Sequence, residues 1–168
     1  MFSQIETASI RQATEEDLPF VEQMCYEAAF PEELGERPSF EEARRLDWFQ
    51  LYTRDWPNHE GDFGLIAENK SGEPLGAAWY RNYPRKELDA DIPTNELSIA
   101  LIPQARGRRI GERLMLALLE GASARGEDLS LQVNESNKRA KSLYEKIGFQ
   151  TVTKSADGYN VMVARTAK

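Results

Sequence analysis

The segment LIPQARGRRIGERLMLALLEG, residues 101–121, joins the end of a strand to a basic turn and an amphipathic helix. Apolar side chains from Ile110 onward recur at helical spacing, so we expect the helix to begin near Ile110. The first amide N–H groups of a helix have no intrahelical partner, and the helix dipole adds positive potential at the same end. The segment therefore predicts a binding site for phosphate oxygens.

Three arginines stand in this turn although the whole chain carries a net charge of −7. Arg106, Arg108 and Arg109 add planar, charge-assisted donors to the turn. Gly107 and Gly111 lack a Cβ atom and let the backbone approach a ligand. Exposed basic residues at a helix N-terminus cost about 0.3–1 kcal/mol each, which a bound polyanion would offset. Solvated arginines at an ordinary helix start explain the pattern equally well, and the G-x-G-x-x-G and P-loop fingerprints are absent.

The segment LSLQVNESNKRAKSLYEKIGF, residues 129–149, is a strand followed by a second amphipathic helix from about Ser136 to Ile147. Its apolar positions recur at i, i+3, i+4 and i+7, namely Ala140, Leu143, Tyr144 and Ile147. Ser136 or Asn137 suits the N-cap, and Gly148 before Phe149 suits a Schellman ending. On the pattern alone, Tyr144 is a core residue whose hydroxyl would bond a nearby carbonyl.

The rest of the chain supplies five further strands and two further helices. Residues 9–13 form a strand, Thr14 and Asp17 resemble a capping box, and the following helix buries Cys25. A second helix runs from its cap at Ser39 to about residue 56. The order β-α-α-β-β-β-α-β-α-β-β predicts one α/β domain over residues 1–168, with a mixed, mostly antiparallel central sheet of about seven strands flanked by about four helices.

Composition excludes several classes of function. One cysteine and one histidine rule out an internal disulfide and make a zinc or other metal site unexpected. The acidic balance disfavours nucleic acid as a partner. No stretch approaches the roughly 18 apolar residues of a membrane span, and the N-terminus lacks a secretory signal, so we expect a cytoplasmic protein without membrane contact.

Together, residues 96–149 resemble the acetyl-CoA-binding half of the GNAT superfamily of N-acetyltransferases. The family pattern N-x-x-A-x-x-L-Y-x-x-x-G-F is matched in full between Asn137 and Phe149. In the pattern R-x-x-G-x-G, Arg106 takes the first place and Gly111 the last, while Arg109 replaces the middle glycine. If Arg109 adopts helical dihedral angles, this replacement costs little and adds a contact.

The resemblance implies a GNAT-like fold in which two parallel strands splay apart and the pantetheine arm of acetyl-CoA lies in the gap. It assigns the main chain of Leu101 and Ile102 to the pantetheine amides, and Asn137 to the cofactor arm. It implies that backbone amides of the basic turn bind the diphosphate. These are the amides of Arg106, Gly107, Arg108, Arg109, Ile110 and Gly111. No metal is implied.

The resemblance also assigns the chemistry. Tyr144 would protonate the departing thiolate, and Glu96 is either the base that activates the amine or a surface charge at the start of its strand. The acceptor side would be built from the loop at residues 31–40, from Trp79 and Tyr83, and from an acidic insert. The carboxylates offered there to an ammonium group are Glu87, Asp89, Asp91 and Glu96, and a solvated acidic loop explains them equally well.

The leading interpretation is therefore an acetyl-CoA-dependent N-acetyltransferase in which a primary amine attacks the thioester directly, with acetyl-CoA as cosubstrate. The acceptor is a small molecule or a peptide or protein amine, which the sequence does not identify. The alternative is a non-catalytic acyl-CoA-binding or sensor module. A homodimer that pairs the C-terminal strands across two copies is suggested by analogy with relatives alone.

Overall fold

The computed structural model of the protein describes residues 8–32, 35–82, 89 and 91–166. The strands are β1 Ser9–Gln12, β2 Phe63–Glu68, β3 Pro74–Asn82, β4 Asn95–Leu101, β5 Leu129–Val133, β6 Gln150–Lys154 and β7 Asn160–Ala164. The helices are α1 Leu18–Ala29, α2 Phe40–Arg44, α3 Asp47–Thr53, α4 Ile110–Ala124 and α5 Lys138–Lys146. Short 3₁₀ turns lie at Glu15–Asp17 and Pro103–Ala105.

All seven strands form one sheet in the order β1-β2-β3-β4-β5-β7-β6. Every neighbouring pair is antiparallel except β4 and β5, which are parallel and are connected through α4. The predicted fold class, an α/β domain around a mixed and mostly antiparallel sheet of seven strands, is confirmed. None of the described helices has the length and apolar character needed to cross a bilayer.

The two parallel strands meet at a single point. Glu96 of β4 pairs with Ser130 of β5, and no other residue pair of these two strands is in register. The strands therefore diverge toward their carboxyl ends and leave a gap in the middle of the sheet. This is the splay that the family resemblance implies.

Helices cover both faces of the sheet, so β3 is buried along its whole interior. Ala78 and Tyr80 face the core beneath α4, whereas Ala77 and Trp79 face the core beneath α1, α2 and α3. Alternation of side chains along a strand separates the two sets. Trp79 is only 1% exposed in the second core, so the expectation that it forms part of the acceptor surface is wrong.

The predicted second helix is broken into α2 and α3. Ser39 caps α2 as expected, accepting a hydrogen bond from the Glu42 amide at 3.1 Å. Leu46 then leaves the helical region with extended dihedral angles of φ −69° and ψ 138°. The break has a packing reason, because Ala43 and Phe49 are both fully buried and would point about 120° apart on one continuous helix. The structure therefore has five α-helices in its described residues rather than about four.

Candidate active site

The gap between β4 and β5 widens into a cleft of about 1250 Å³. It is bordered by α1 and α3 on one side and by the basic turn and α5 on the other. The sequence-predicted site residues that line it are Glu96, Leu101, Arg106, Gly107, Arg109, Gly111, Asn137 and Tyr144. Residues from distant parts of the chain thus meet at the point where the sheet opens.

The basic turn presents unbonded amides to this cleft. The helix α4 begins at Ile110, as expected, and its first closing bond runs from the Arg113 amide to the Arg109 carbonyl at 3.1 Å. Among the described residues, no acceptor lies opposite the N–H groups of Gly107, Arg109, Ile110 and Gly111. Such a run of free donors at a helix start fits an anion.

Two residues of the predicted turn, Ile110 and Arg108, do not line the cleft with their side chains. The Ile110 side chain is 1% exposed and packs in the core beneath α4, so only its main chain is available to a ligand. Arg108 is half-buried and does not belong to the cleft wall as the described residues form it.

Arg109 does not adopt helical dihedral angles. It caps α4 with φ 62° and ψ 13°, in the left-handed region, so the condition under which this replacement would cost little is not met. For an L-residue this conformation costs about 1–2 kcal/mol, which is the physical reason why the family pattern has a glycine at this place. The Arg109 side chain remains exposed at the cleft.

The main chain of β4 supplies the edge of the gap, but with a shift from the expected residues. The Ile102 amide donates to the Leu75 carbonyl at 2.9 Å, and the Ile102 carbonyl accepts from the Ala105 amide at 3.0 Å. Because bonding alternates along an antiparallel pair, Leu101 and Ile99 direct their peptide groups away from β3 and toward the gap. The residues that fit a pantetheine arm are therefore Leu101 and Ile99, whereas Ile102 is already bonded within the protein.

Tyr144 lies on α5 and lines the cleft. Its ring packs against Phe149 with the centroids 6.1 Å apart. Its hydroxyl has no hydrogen-bond partner within the described part of the chain, so the carbonyl partner expected for a purely structural tyrosine is not found. Burial raises the pKa of the Tyr144 phenol to about 12, so the hydroxyl keeps its proton at neutral pH and is available as a donor.

Asn137 has a structural role as the N-cap of α5. Its Oδ1 accepts a hydrogen bond from the Ala140 amide at 3.3 Å. The residue is exposed at the cleft, so the side-chain amide that fixes the start of α5 also faces the space where a ligand would lie.

Glu96 is buried at the base of the cleft, with 6% of its surface exposed. The Tyr52 hydroxyl donates a hydrogen bond to its Oε2, and Gln132 Nε2 donates to its Oε1 at 3.4 Å. The interpretation of Glu96 as a strand-end surface charge is therefore excluded. A buried carboxylate oriented by two donors is suited to accept a proton.

An internal ion pair next to Glu96 holds α3 in place. Arg81 stands opposite Glu96 on β3 and donates to both carboxylate oxygens of Asp62, at 2.9 and 2.8 Å. Its remaining nitrogen donates to the carbonyls of Leu51 and Arg54 at the end of α3. The side chains of the pair are 3% and 0% exposed, so the pair anchors the helix that carries Tyr52.

Sequence reasoning missed this network. Tyr52, Gln132 and Arg81 come from three separate elements and Asp62 from the loop before β2, and no short motif connects them. The only signal in the sequence was the charged Arg81 inside an otherwise apolar strand, which indicates a buried partner.

Most of the residues expected to bind the amine acceptor are not found in the described cleft wall. Tyr83 and Glu87 lie outside the described residues. Asp89 and Asp91 are exposed and do not belong to the described cleft wall. Instead, several aromatic side chains line the cleft, among them Phe30, Trp48, Tyr52 and Tyr159. Within residues 8–32, 35–82, 89 and 91–166, no group of three or more His, Cys, Asp or Glu residues could hold a metal ion.

Comparison with known proteins gives consistent results. The sequence profile of the Acetyltransferase (GNAT) family matches residues 22–149. A mycothiol acetyltransferase from Saccharomonospora viridis is 32% identical over 66% of this chain, but the match covers 34% of that protein, so the chain spans about a third of its length. An L-methionine sulfoximine/L-methionine sulfone acetyltransferase from Pseudomonas aeruginosa is 29% identical over 86% of this chain and 81% of its own.

Among solved structures, a phosphinothricin acetyltransferase from Sinorhizobium meliloti in complex with acetyl-CoA superimposes with a TM-score of 0.65. The match covers 94% of this chain and 86% of that one at 21% identity, and at this level it supports the fold alone.

Proposed function

Because the chain belongs to the GNAT acetyltransferase family, we propose that it transfers an acetyl group from acetyl-CoA to the nitrogen of a primary amine. The observation that carries this proposal is the cleft itself. Free amides lie at one end of it, and a buried carboxylate and an unbonded phenol lie within the same space.

The residues present fit acetyl-CoA as cosubstrate. The amides from Gly107 to Gly111 would hold the diphosphate, with Arg106 and Arg109 adding charge at its rim. The peptide groups of Leu101 and Ile99 would pair with the pantetheine arm across the gap, and Asn137 would contact the same arm. When bound there, the cosubstrate supplies an acetyl group activated as a thioester.

Glu96 would prepare the acceptor for attack. A lysine-type amine has a pKa of about 10.4 and an α-amine one of about 8, so most acceptors arrive as ammonium ions at neutral pH. The Glu96 carboxylate accepts the proton directly or through water, and the Tyr52 hydroxyl holds the carboxylate in position. The neutral nitrogen then forms the new C–N bond to the acetyl carbon.

Tyr144 would complete the exchange on the leaving side. As the C–S bond breaks, the phenol proton passes to the thiolate sulfur, because a thiol of pKa about 8.5 retains a proton at neutral pH. The nitrogen loses its second proton as the amide forms, and this proton restores the Tyr144 phenol. The acetamide and the free thiol of coenzyme A are the products, and the one net proton released from the ammonium ion rests on Glu96.

The test combines a thiol-release assay over a panel of primary amines with calorimetry of coenzyme A binding. We expect Tyr144→Phe to keep the affinity for acetyl-CoA and to lower turnover by about tenfold or more. Glu96→Gln should lower turnover in the same assay. Glu120→Gln, which neutralises an exposed carboxylate on α4, is the matched control and should change neither quantity.

Each outcome separates the candidate functions. Saturable binding of coenzyme A without thiol release for any amine would favour the alternative, a non-catalytic acyl-CoA-binding module. Unchanged turnover in Tyr144→Phe would remove the acid role of this residue. An absence of coenzyme A binding would refute the proposal as a whole.

A further inference from the structure

The acceptor end of the cleft is built from three aromatic rings in contact, which we call the aromatic strip: Phe30, Trp48 and Tyr52. The ring centroids of Phe30 and Trp48 are 5.7 Å apart, and those of Trp48 and Tyr52 are 6.3 Å apart. All three side chains are partly exposed and line the cleft. The strip ends at the buried carboxylate, because the Tyr52 hydroxyl is bonded to Glu96.

Two carboxylates border the strip. Glu96 lies at its inner end, and Glu27 of α1 lines the cleft next to Phe30. The cations that line the cleft, as far as its residues are described, are Arg106, Arg109 and Arg139. They belong to the basic turn and to the start of α5, and Arg106 reaches across to pair with Glu27 at 3.9 Å.

Arg37, a second cation close to the strip, is engaged in contacts outside the cleft. Arg37 donates to Glu27 at 3.2 Å and to the Phe30 carbonyl at 3.0 Å, and its guanidinium stacks 4.6 Å from the centroid of the Tyr26 ring. It therefore braces the loop after α1 instead of lining the cleft. Both described cations close to the strip are thus engaged with Glu27, Arg37 at 3.2 Å and Arg106 at 3.9 Å.

We propose that the acceptor is a primary amine with an apolar, preferably aromatic, carbon skeleton and no carboxylate on the carbon that carries the nitrogen. This inference rests on the proposed function and names its substrate class. The nitrogen lies at Glu96 while the skeleton lies along the aromatic strip. An approaching ammonium ion is attracted by the ring faces and by the carboxylate. A carboxylate on the adjacent carbon would be forced toward Glu96, where like charges repel.

The experiment compares four acceptors in the thiol-release assay: 2-phenylethylamine, L-phenylalanine, L-phenylalaninamide and spermidine. We expect kcat/KM for 2-phenylethylamine to exceed that for L-phenylalanine by about tenfold or more, since the two differ only by a carboxylate. L-Phenylalaninamide, in which that charge is removed, should recover most of the loss. Spermidine, which has no ring and whose carbon chain is interrupted by further ammonium groups that the apolar strip would have to desolvate, should also be a poor acceptor.

The strip is tested by Trp48→Ala, with Trp48→Phe as a milder variant that keeps a ring. Trp48→Ala should lower kcat/KM for 2-phenylethylamine about tenfold more than for methylamine, which cannot reach the strip. Because the readout is a ratio between two acceptors, a general loss of folded enzyme does not imitate it. Leu51→Ala is the control on the same helix, since Leu51 is 58% exposed and should leave the ratio unchanged.

The outcomes distinguish this inference from the proposed function. Equal or better acetylation of L-phenylalanine or spermidine would overturn the inference and leave the acetyltransferase standing. An unchanged ratio in Trp48→Ala would also overturn it. If no amine releases thiol although coenzyme A binds, the proposed function fails and the inference fails with it.

Discussion

The left-handed conformation of Arg109 makes a prediction about stability that is independent of its charge. Arg109→Gly and Arg109→Ala remove the same guanidinium from the basic turn. Only glycine adopts φ 62° without a steric cost. The steric cost is about 1–2 kcal/mol for an L-residue. Glycine also has more conformational freedom in the unfolded chain, which offsets about 0.4–1 kcal/mol of the advantage of Arg109→Gly.

Arg109→Gly should therefore be more stable than Arg109→Ala by about 1 kcal/mol, equivalent to a difference in Tm of about 2–4 °C for a chain of this size. Urea unfolding monitored by circular dichroism measures the free energy difference. In both variants the affinity for coenzyme A should fall by about tenfold, because each loses one charge-assisted contact. The affinity for coenzyme A thus depends on the Arg109 guanidinium, whereas the free energy of unfolding depends on the backbone conformation at position 109.

Arg108 provides the matched control for this pair. It is not among the described residues with positive φ, so Arg108→Gly should be less stable than Arg108→Ala, which is the opposite order. Equal stability of the two Arg109 variants would refute the left-handed assignment. It would also remove the explanation for why the family pattern has a glycine there.

Three further predictions follow from the site and its supports. Because burial raises the pKa of Tyr144 to about 12, its acid form persists above pH 10, and kcat should show no falling limb below about pH 10 in a pH–rate profile; a decline near pH 8–9 would contradict its role as the acid. Asp62→Asn should lower the free energy of unfolding, measured in urea, by about 3–5 kcal/mol, because it leaves the Arg81 guanidinium buried without its carboxylate. A loss below about 1 kcal/mol would show that the Arg81–Asp62 ion pair does not anchor α3. Gly64→Ala should cost about 1–3 kcal/mol in the same measurement, because the added Cβ would lie 2.7 Å from Cζ2 of the buried Trp56; a neutral result would show that the ring can shift.

Local patterns in the sequence were sufficient for the order of the elements. Strand alternation and helical periodicity are properties of neighbouring residues, and so are the caps at Ser39 and Asn137. The break at Leu46 was not predictable in this way. It follows from the need to bury Ala43 and Phe49 against the same sheet face, which depends on tertiary packing.

The candidate site was predictable where it depends on a continuous motif. The turn from Arg106 to Gly111 and the position of Tyr144 follow from such motifs. The surroundings of Glu96 do not, because its partner Tyr52 is 44 positions away in the chain and reaches it only through the placement of α3. The conformation of Arg109 also depends on how the chain enters α4, which a single substitution in a motif does not reveal.

The single bridge between Glu96 and Ser130 has a practical consequence for anyone who would use this protein as a tool. It divides the sheet into a four-stranded and a three-stranded ribbon, and the chain crosses between them once, through the α4–β5 connection near Gly126. Cutting there would yield two fragments for a complementation reporter, whose reassembly a molecule lying across the seam would promote. The opening proposed to admit a ligand would thus let the halves report its presence.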